Sequence, residues 1–292
     1  MKPSPFCYVA PDTLEDALMC LSGSEHGKIL AGGQSLMPDI IARRVRCELL
    51  VDINNIRTLD SIKIKGGQAI IGATVRQRDA ERHRLLHQRH PLMIHILHHI
   101  GSAAVRNRGT LVGSLCQAEA WGELPLLFTL LGGNIVVQSL EGNRTLSADH
   151  LFNPHNCPAL SPKEIVTEAH FTLPRATDTW GYCEYAHRAG DRALGLVGVV
   201  SQCDSQRRLV DIKIAVGGLT AFPQRFQALE CLLLGESADN HLAEYAGEFA
   251  ATQLPLRDDR DFSPSYRRTL LRTLVNRALR QSFSVSPLTE PS

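Results

Sequence analysis

The feature of this sequence that most restricts its fold is a short apolar strand that runs directly into two glycines and then a helix. Lys28–Leu30 is followed by Ala31–Ser35, and a helical stretch is predicted from Met37 to about Arg44. Adjacent glycines let a backbone approach a ligand closely. Consecutive amide groups there, with the Ser35 hydroxyl, can hold phosphate oxygens. The stretch has neither the G-x-G-x-x-G spacing of a Rossmann domain nor a Walker lysine, and alone it also fits an ordinary tight turn.

A second stretch, at residues 105–125, has a similar character. Thr110, Gly113 and Ser114 are small or carry a hydroxyl, which suits another close approach of the backbone to a polar ligand. Glu119 or Glu123 could accept hydrogen bonds from ribose or ribityl hydroxyls, as an acidic residue does at a dinucleotide site. A glycine-rich loop capped by surface carboxylates explains the same residues without any ligand.

The remaining pattern alternates short strands and helices. Thr13 is predicted to cap a helix with Asp16 three residues later, and with a strand at 48–53 this makes a small βαβ-like unit. The middle of the chain predicts a hairpin at 60–75 around Gly66-Gly67, helices at 76–100 (interrupted at Pro91) and 125–131, and strands at 134–138 and 164–173. The last third predicts a separate α+β domain with three antiparallel strands at 181–187, 196–203 and 209–217 and helices at 225–234, 239–252 and 265–281.

Composition excludes several classes of function. The 292 residues carry a net charge of +1 and 43% hydrophobic residues, which gives no reason to expect nucleic-acid or membrane-surface binding. The eight cysteines include no C-x-x-C pair, so we expect free thiols, mostly buried, and no cluster held by local ligands. No apolar run reaches signal-peptide or membrane-helix character, and a cytoplasmic location is the expectation.

Several motifs, taken together and in register, resemble one protein family. They are Ala31–Pro38, Ile100–Pro125, Arg188–Asp191, Ala215–Leu219 with Pro223, and Ser265–Arg268. The pattern is similar to that of the FAD-binding medium subunit of molybdenum hydroxylases of the carbon monoxide dehydrogenase and xanthine dehydrogenase type. The resemblance covers nearly the whole chain.

The resemblance implies an α+β fold with three parts. Residues 1–58 and 59–176 would form a two-part FAD-binding region of the vanillyl-alcohol-oxidase-like (PCMH) type. Residues 177–292 would form a C-terminal α+β domain with a three-stranded antiparallel sheet and helices.

The resemblance also implies which residues bind FAD. Ala31–Leu36 would hold the pyrophosphate, and Glu123 would take ribose or ribityl hydroxyls. The full predicted set is Leu30, Ala31, Gly32, Gly33, Gln34, Ser35, Leu36, Ile100, Ala103, Thr110, Gly113, Ser114, Gln117, Glu119, Glu123, Ile165, Val166 and Asp191. Ile100 would pack near the flavin or adenine system, and Ile165-Val166 would line the adenine end. No catalytic or metal-binding residue is predicted in this chain.

Four positions depart from the family pattern: Val112, Ala104, Cys183-Glu184 and Arg192. Val112 replaces a glycine and is acceptable only with a negative φ and a side chain that points away from the cofactor. Arg192 beside the flavin would raise its reduction potential, whereas an Arg192 directed to solvent or to a partner would not. His95 and His99 have the i, i+4 spacing of a metal pair but lack acidic or cysteine companions, so solvated or interface histidines are expected.

The function implied is that of an oxidoreductase subunit carrying electrons. A small iron–sulfur subunit with [2Fe–2S] clusters and a large molybdopterin subunit would be its partners, in a dimer of heterotrimers. FAD in this chain would receive the electrons and pass them to NAD, oxygen or a quinone. Two alternatives are a flavin-free structural subunit and a stand-alone flavin oxidoreductase.

Overall fold

The computed structural model of the chain describes residues 2–152, 159–257 and 262–284. The chain folds into two compact units and passes between them several times. The first unit contains residues 1–87, 102–118 and 133–172, and the second contains residues 88–101, 119–132 and 173–292. The division at residues 58 and 176 stays a prediction.

The first unit begins with a three-stranded parallel sheet in the order β1-β3-β2. Its elements are β1 (Cys7–Val9), α1 (Leu14–Ser22), β2 (Gly27–Leu30), α2 (Leu36–Ile41) and β3 (Leu49–Asp52). The predicted cap of α1 is confirmed, since the Asp16 amide donates to the Thr13 hydroxyl at 3.1 Å. α2 ends earlier than predicted because Arg43 adopts a φ of 60°, which no helix continues. β1, with only three residues, carries too short a pattern to be predicted.

A five-stranded antiparallel sheet, in the order β4-β5-β8-β6-β7, completes the first unit. Its strands are β4 (Ile62–Lys65), β5 (Gln68–Gly72), β6 (Gly133–Ser139), β7 (Gly142–Ser147) and β8 (Ile165–Thr172). The hairpin turn at Gly66-Gly67 is confirmed, with φ values of 58° and 73°. β7 was not predicted because it is an edge strand of largely polar, exposed residues without an apolar face.

The predicted helical region 76–100 consists of three helices. These are α3 (Gln77–Arg82), α4 (Arg84–Arg89), which carries the chain into the second unit, and α5 (Pro91–Leu97). The break at Pro91 is confirmed, and a further break occurs at His83, whose backbone is extended. The first unit also contains α6 (Ala103–Arg108), α7 (Leu111–Gln117) and α9 (Ala148–Leu151). The glycine-containing stretch after Arg108 is therefore helical from Leu111 and does not form a long loop.

The second unit contains the predicted C-terminal sheet, with a short fourth strand added. Its elements are α5, α8 (Glu123–Leu131), β9 (Thr179–Tyr185), β10 (Gly195–Cys203), β11 (Leu209–Gly217), β12 (Gln224–Arg225), α10 (Gln227–Leu233), α11 (Asn240–Gln253) and α12 (Pro264–Ser284). The three long strands and the three C-terminal helices are confirmed. β10 is buried along nearly its whole length because α8 and α12 both pack against it. Leu271, Val275 and Leu279 of α12 belong to this core at helical spacing.

The cysteines are less buried than predicted. Seven of them lie in the described residues as free thiols, and Cys157 lies outside those residues. Cys47 is buried, whereas Cys7, Cys116, Cys203 and Cys231 are exposed. The expectation of mostly buried thiols is therefore wrong, because these side chains occupy the outer sides of their helices and strands.

Across the described ranges, no helix combines the length and apolar character needed to cross a bilayer.

Candidate functional site

The first glycine stretch forms an open turn between β2 and α2. Gly33 has a φ of 71°, which an L side chain rarely adopts. Within the described chain, no backbone hydrogen bond is donated by the amides of residues 32–35. The exposed Ser35 precedes α2 without its hydroxyl capping the helix. The turn therefore presents several amide donors and one hydroxyl to a bound group with acceptor oxygens.

This turn touches the second glycine-containing stretch. A Cβ atom added to Gly32 would lie 2.5 Å from the Arg108 carbonyl oxygen and 2.8 Å from the Gly109 Cα atom. Backbone at such distances cannot give way to a methyl group, so only glycine fits. The fold of the first unit thus joins the two stretches that the sequence marks as candidate ligand loops. We call residues 31–35 the first loop and residues 107–114 the second loop.

The second loop is organised by the start of helix α7. The Thr110 hydroxyl accepts a hydrogen bond from the Gly113 amide at 3.1 Å. The Ser114 hydroxyl donates to the Thr110 carbonyl at 3.3 Å and accepts from Gln77 Nε2 at 3.0 Å. These predicted residues hold the shape of the loop. Thr110 is 3% exposed, and within the described residues its hydroxyl accepts this bond and donates none.

Val112 is accommodated in the way that the sequence required. It is the second residue of α7, is 2% exposed and is not among the residues with a positive φ. Its side chain belongs to the core, so this departure from the family pattern leaves the exposed side of the loop unchanged.

Two side chains that the sequence did not single out join the loops. Arg76 donates from Nη1 to the Arg108 carbonyl and from Nη2 to Asn54 Oδ1, both at 2.6 Å. Asn54 Nδ2 in turn donates to the Ala31 carbonyl at 2.9 Å. No sequence motif marks either residue, because the link exists only once β3, α3 and α6 are assembled.

A buried ion pair fixes the helix that precedes the second loop. Glu81, on α3, is 6% exposed and pairs with Arg78 at 2.6 Å and with Arg106, on α6, at 3.1 Å. Burial alone would raise the pKa of this carboxyl group, but hydrogen bonds from Arg78 and Arg106 outweigh it and lower the pKa below its usual value. The position of α6 is therefore set by charge as well as by packing.

The other predicted residues of the first unit surround these loops or lie in the core. Leu30 and Leu36 flank the first loop, Ala103 is exposed at the start of α6, and Gln117 is exposed at the end of α7. Ile165 and Val166 are 0% and 6% exposed in β8, where they pair with β6. A role of Ile165 and Val166 at the adenine end of the cofactor stays a prediction, because both side chains are buried in the packing of the sheet.

The second unit places Ile100 and Asp191 on neighbouring segments. Gly190 has a φ of 80°, and a Cβ added there would lie 3.0 Å from the carbonyl oxygen of Gly101. The Asp191 amide donates to the Arg188 carbonyl at 3.1 Å and closes the turn. The R-A-G-D turn therefore packs directly on the residue that follows Ile100.

A second group of residues surrounds Trp121. The guanidinium groups of Arg192 and Arg257 lie 5.0 and 5.7 Å from the centroid of its ring. Arg192 is exposed and stacks on an indole of its own unit, which gives its charge a cation–π partner. Its effect on a flavin stays a prediction.

Glu123 opens helix α8 in the same unit. Burial of its carboxyl group, with a further contribution from nearby Glu184, raises the pKa of Glu123 to about 7. Glu184 accepts a hydrogen bond from the buried Tyr182 hydroxyl at 2.6 Å. The Glu123 carboxyl group therefore titrates near neutral pH.

The predicted histidine pair belongs to an aromatic cluster. The rings of His95 and His99 lie 4.9 Å apart, and His99 packs edge-on against Tyr182. Within the described residues, no group of three or more histidine, cysteine or acidic side chains is arranged to hold a metal ion.

The first unit suits an anionic dinucleotide. In the part of the chain that the structure describes, the amides of residues 32–35 donate no backbone hydrogen bond. The contact at Gly32 leaves room for backbone only, and Arg76 donates a hydrogen bond to the second loop. These are the properties that a pyrophosphate requires of its site.

The chain combines a parallel βαβ unit, two apposed loops that suit an anionic dinucleotide, and an antiparallel C-terminal sheet, and it is a protein of the α+β class. The chain belongs to the family of medium subunits of molybdenum hydroxylases: residues 4–175 match the FAD binding domain in molybdopterin dehydrogenase, and residues 180–282 match the CO dehydrogenase flavoprotein C-terminal domain.

Full-length relatives agree with this assignment. The chain is 36% identical to the nicotine 6-hydroxylase medium subunit of Paenarthrobacter nicotinovorans, over 96% of this chain and 98% of that one. The solved structure of quinoline 2-oxidoreductase from Pseudomonas putida 86 is 30% identical with a TM-score of 0.91, covering 97% of this chain and 98% of that one. The solved structure of carbon monoxide dehydrogenase from Hydrogenophaga pseudoflava is 28% identical with a TM-score of 0.91, covering 97% of this chain and 99% of that one. The predicted family, fold class, FAD-binding domain and oxidoreductase class are confirmed.

Proposed function

We propose that this chain is the electron-transfer subunit of a heteromeric molybdenum hydroxylase, accepting electrons from [2Fe–2S] clusters of a partner and passing them to an external acceptor. The observation that carries the proposal is the backbone contact between the two loops at Gly32, beside the amides of residues 32–35, which donate no backbone hydrogen bond within the described residues. Bound FAD supplies the redox centre, and the chain's own residues hold it in place.

We propose specific roles for the residues of the first unit. The amides of Ala31, Gly32, Gly33, Gln34 and Ser35, with the Ser35 hydroxyl, would hold the pyrophosphate, while Leu30 and Leu36 shape the ends of the loop. Thr110, Gly113 and Ser114 would hold the cofactor from the second loop, with Ala103 and Gln117 at the ends of the helices around it. Ile165 and Val166 would bound the adenine end from within β8. Support comes from the exposed hydroxyl of Ser35 and the remaining donor of Thr110.

Four further residues are proposed to contact FAD: Ile100, Glu119, Glu123 and Asp191. Glu123 would accept hydrogen bonds from ribose or ribityl hydroxyls in its ionised form and donate one when protonated, since its pKa lies at about 7. Ile100 would provide an apolar contact, and the turn at Asp191 holds the segment that carries it.

The proposed partners are a small iron–sulfur subunit and a large molybdopterin subunit, assembled as a dimer of heterotrimers. Relatives of this chain are named as medium chains or complex subunits, among them a 6-hydroxypseudooxynicotine dehydrogenase complex subunit at 33% identity. The acceptor would be NAD, oxygen or a quinone.

Purification of the affinity-tagged chain from the organism that encodes it tests this proposal. We expect two further chains in stoichiometric amounts, with iron and molybdenum found by metal analysis. Addition of candidate substrates should then bleach the flavin absorption, and each candidate acceptor should be tested for its ability to restore it. A chain that purifies alone, or whose flavin stays oxidised when the molybdenum centre is reduced, contradicts the proposal.

A further inference from the structure

We propose that Arg76 and Asn54 form a clamp that sets the spacing of the two loops, and that this spacing determines the affinity of the chain for FAD. The inference rests on the proposed role of the loops in FAD binding. It assigns positioning roles to two residues outside both loops. The clamp is a continuous chain of hydrogen bonds from Ala31 through Asn54 and Arg76 to Arg108.

The Arg76 end of the clamp depends on the shape of the guanidinium group. Nη1 donates to the carbonyl of Arg108, in the second loop, and Nη2 donates to Asn54 Oδ1, each at 2.6 Å. These two nitrogens belong to one rigid planar group, so the distance between their acceptors is fixed. A lysine ammonium is a single point on a flexible stem and would not set that distance.

The Asn54 end depends on an amide with both a donor and an acceptor. Oδ1 accepts from Arg76, while Nδ2 donates to the Ala31 carbonyl at 2.9 Å and to Asp52 Oδ1. An aspartate of the same shape would keep the contact to Arg76. It would also replace the donor with an oxygen facing the Ala31 carbonyl and the Asp52 carboxylate, which repels both.

The backbone at the start of α3 holds the second loop on the same side. The Gln77 amide donates to the Gly109 carbonyl at 2.8 Å, and Arg76 forms an isolated β-bridge with Thr110. The second loop is thus attached to α3 by backbone, whereas the hydrogen-bonded link from α3 to the first loop runs through the Arg76 and Asn54 side chains. A bound dinucleotide that contacts both loops gains affinity when their spacing is preset.

The test measures the dissociation constant for FAD of the deflavinated full-length chain, by flavin fluorescence, together with its free energy of unfolding in urea. We expect Arg76→Met, Arg76→Lys and Asn54→Asp each to raise the dissociation constant about tenfold or more. The double variant Arg76→Met with Asn54→Ala should raise the dissociation constant no more than the larger of its two single changes does, because both changes break the same link.

Arg144→Met is the matched control. Arg144 also lies in the first unit, and it also donates to a side chain, Glu164, and to a backbone carbonyl, that of Ala159. Neither these partners nor Arg144 itself belongs to the two loops. Arg144→Met should lower the free energy of unfolding while the FAD dissociation constant stays within about twofold. Equal weakening by Arg144→Met, or an unchanged constant in a folded Arg76→Lys or Asn54→Asp chain, overturns the clamp.

Hydrogen exchange separates failure of the clamp from failure of the proposed function. If the wild-type chain does not bind FAD, the proposed function fails. The clamp is then decided by the protection of the Ile53 amide, which donates to the Leu30 carbonyl directly before the first loop. Faster exchange at this amide in Asn54→Asp but not in Arg144→Met supports the clamp, and unchanged protection overturns it.

Discussion

At the scale of single residues, the buried Glu81 carboxylate joins helices α3 and α6 through its ion pairs with Arg78 and Arg106. Its pKa is lowered, so its ion pairs stabilise the fold above the ordinary carboxyl pKa and that contribution is lost as the pH falls through the lowered value. Glu81→Gln should cost about 3 kcal/mol of unfolding free energy at neutral pH, because it removes the buried negative charge that the Arg78 and Arg106 guanidinium groups face. Urea titrations at several pH values measure this. The cost should shrink as the pH falls below the ordinary carboxyl pKa, and it should be absent for the exposed Glu141→Gln.

The pKa of Glu123 is shifted in the opposite direction to that of Glu81. Since its pKa is raised to about 7, the folded chain resists its ionisation, and stability present below pH 4.5 is lost as the pH rises to about 7. In the chain without cofactor, Glu123→Gln should therefore flatten the fall in unfolding free energy over that interval. A wild-type chain whose stability does not change between these pH values would contradict the raised pKa.

Gly32 is the residue at which the two loops meet. Gly32→Ala places a methyl group 2.5 Å from the Arg108 carbonyl and should raise the FAD dissociation constant by about tenfold or more, since the loops must separate. Gly23→Ala is the control, because a Cβ there meets only ordinary contacts at 3.7 Å or more. Fluorescence titration of both variants measures the difference, and equal affinities would show that the contact is not part of the site.

At the scale of elements, helix α7 accommodates the altered motif residue Val112 in the core. Val112 is 2% exposed, so Val112→Gly should cost about 3 kcal/mol through lost burial and lost helix propensity. The exposed Ala104→Gly, on α6, should cost only about 1 kcal/mol, from propensity alone. Urea unfolding measures both. Similar costs for the two variants would mean that Val112 does not pack in the core.

Elements with strong local patterns could be predicted from the sequence, and elements made by long-range contacts could not. The hairpin at Gly66-Gly67, the cap at Thr13 and the three long C-terminal strands each have a local signal. β7 is polar and becomes a strand only by pairing with β6. Likewise, the first loop was marked by its glycines, whereas Arg76 and Asn54 gained their roles from segments that the fold brings together.

At the scale of the whole molecule, each compact unit is built from separated stretches of the chain. Helix α8, at residues 123–131, belongs to the second unit and packs on β10 and β11, although it precedes them by more than sixty residues. Eight of its nine residues are buried, so a fragment ending at residue 176 would leave an apolar helix without its sheet. We expect that fragment to aggregate, and size-exclusion chromatography tests this. A monodisperse, folded fragment would contradict the expectation.

We propose that the two loops of the first unit hold FAD. The most direct measurement is the visible absorption spectrum of the purified full-length chain, with the released cofactor identified by mass spectrometry. We expect the absorption bands of an oxidised flavin and about one FAD per chain, either as purified or after addition of FAD. A folded, colourless chain that takes up no added FAD would contradict the account.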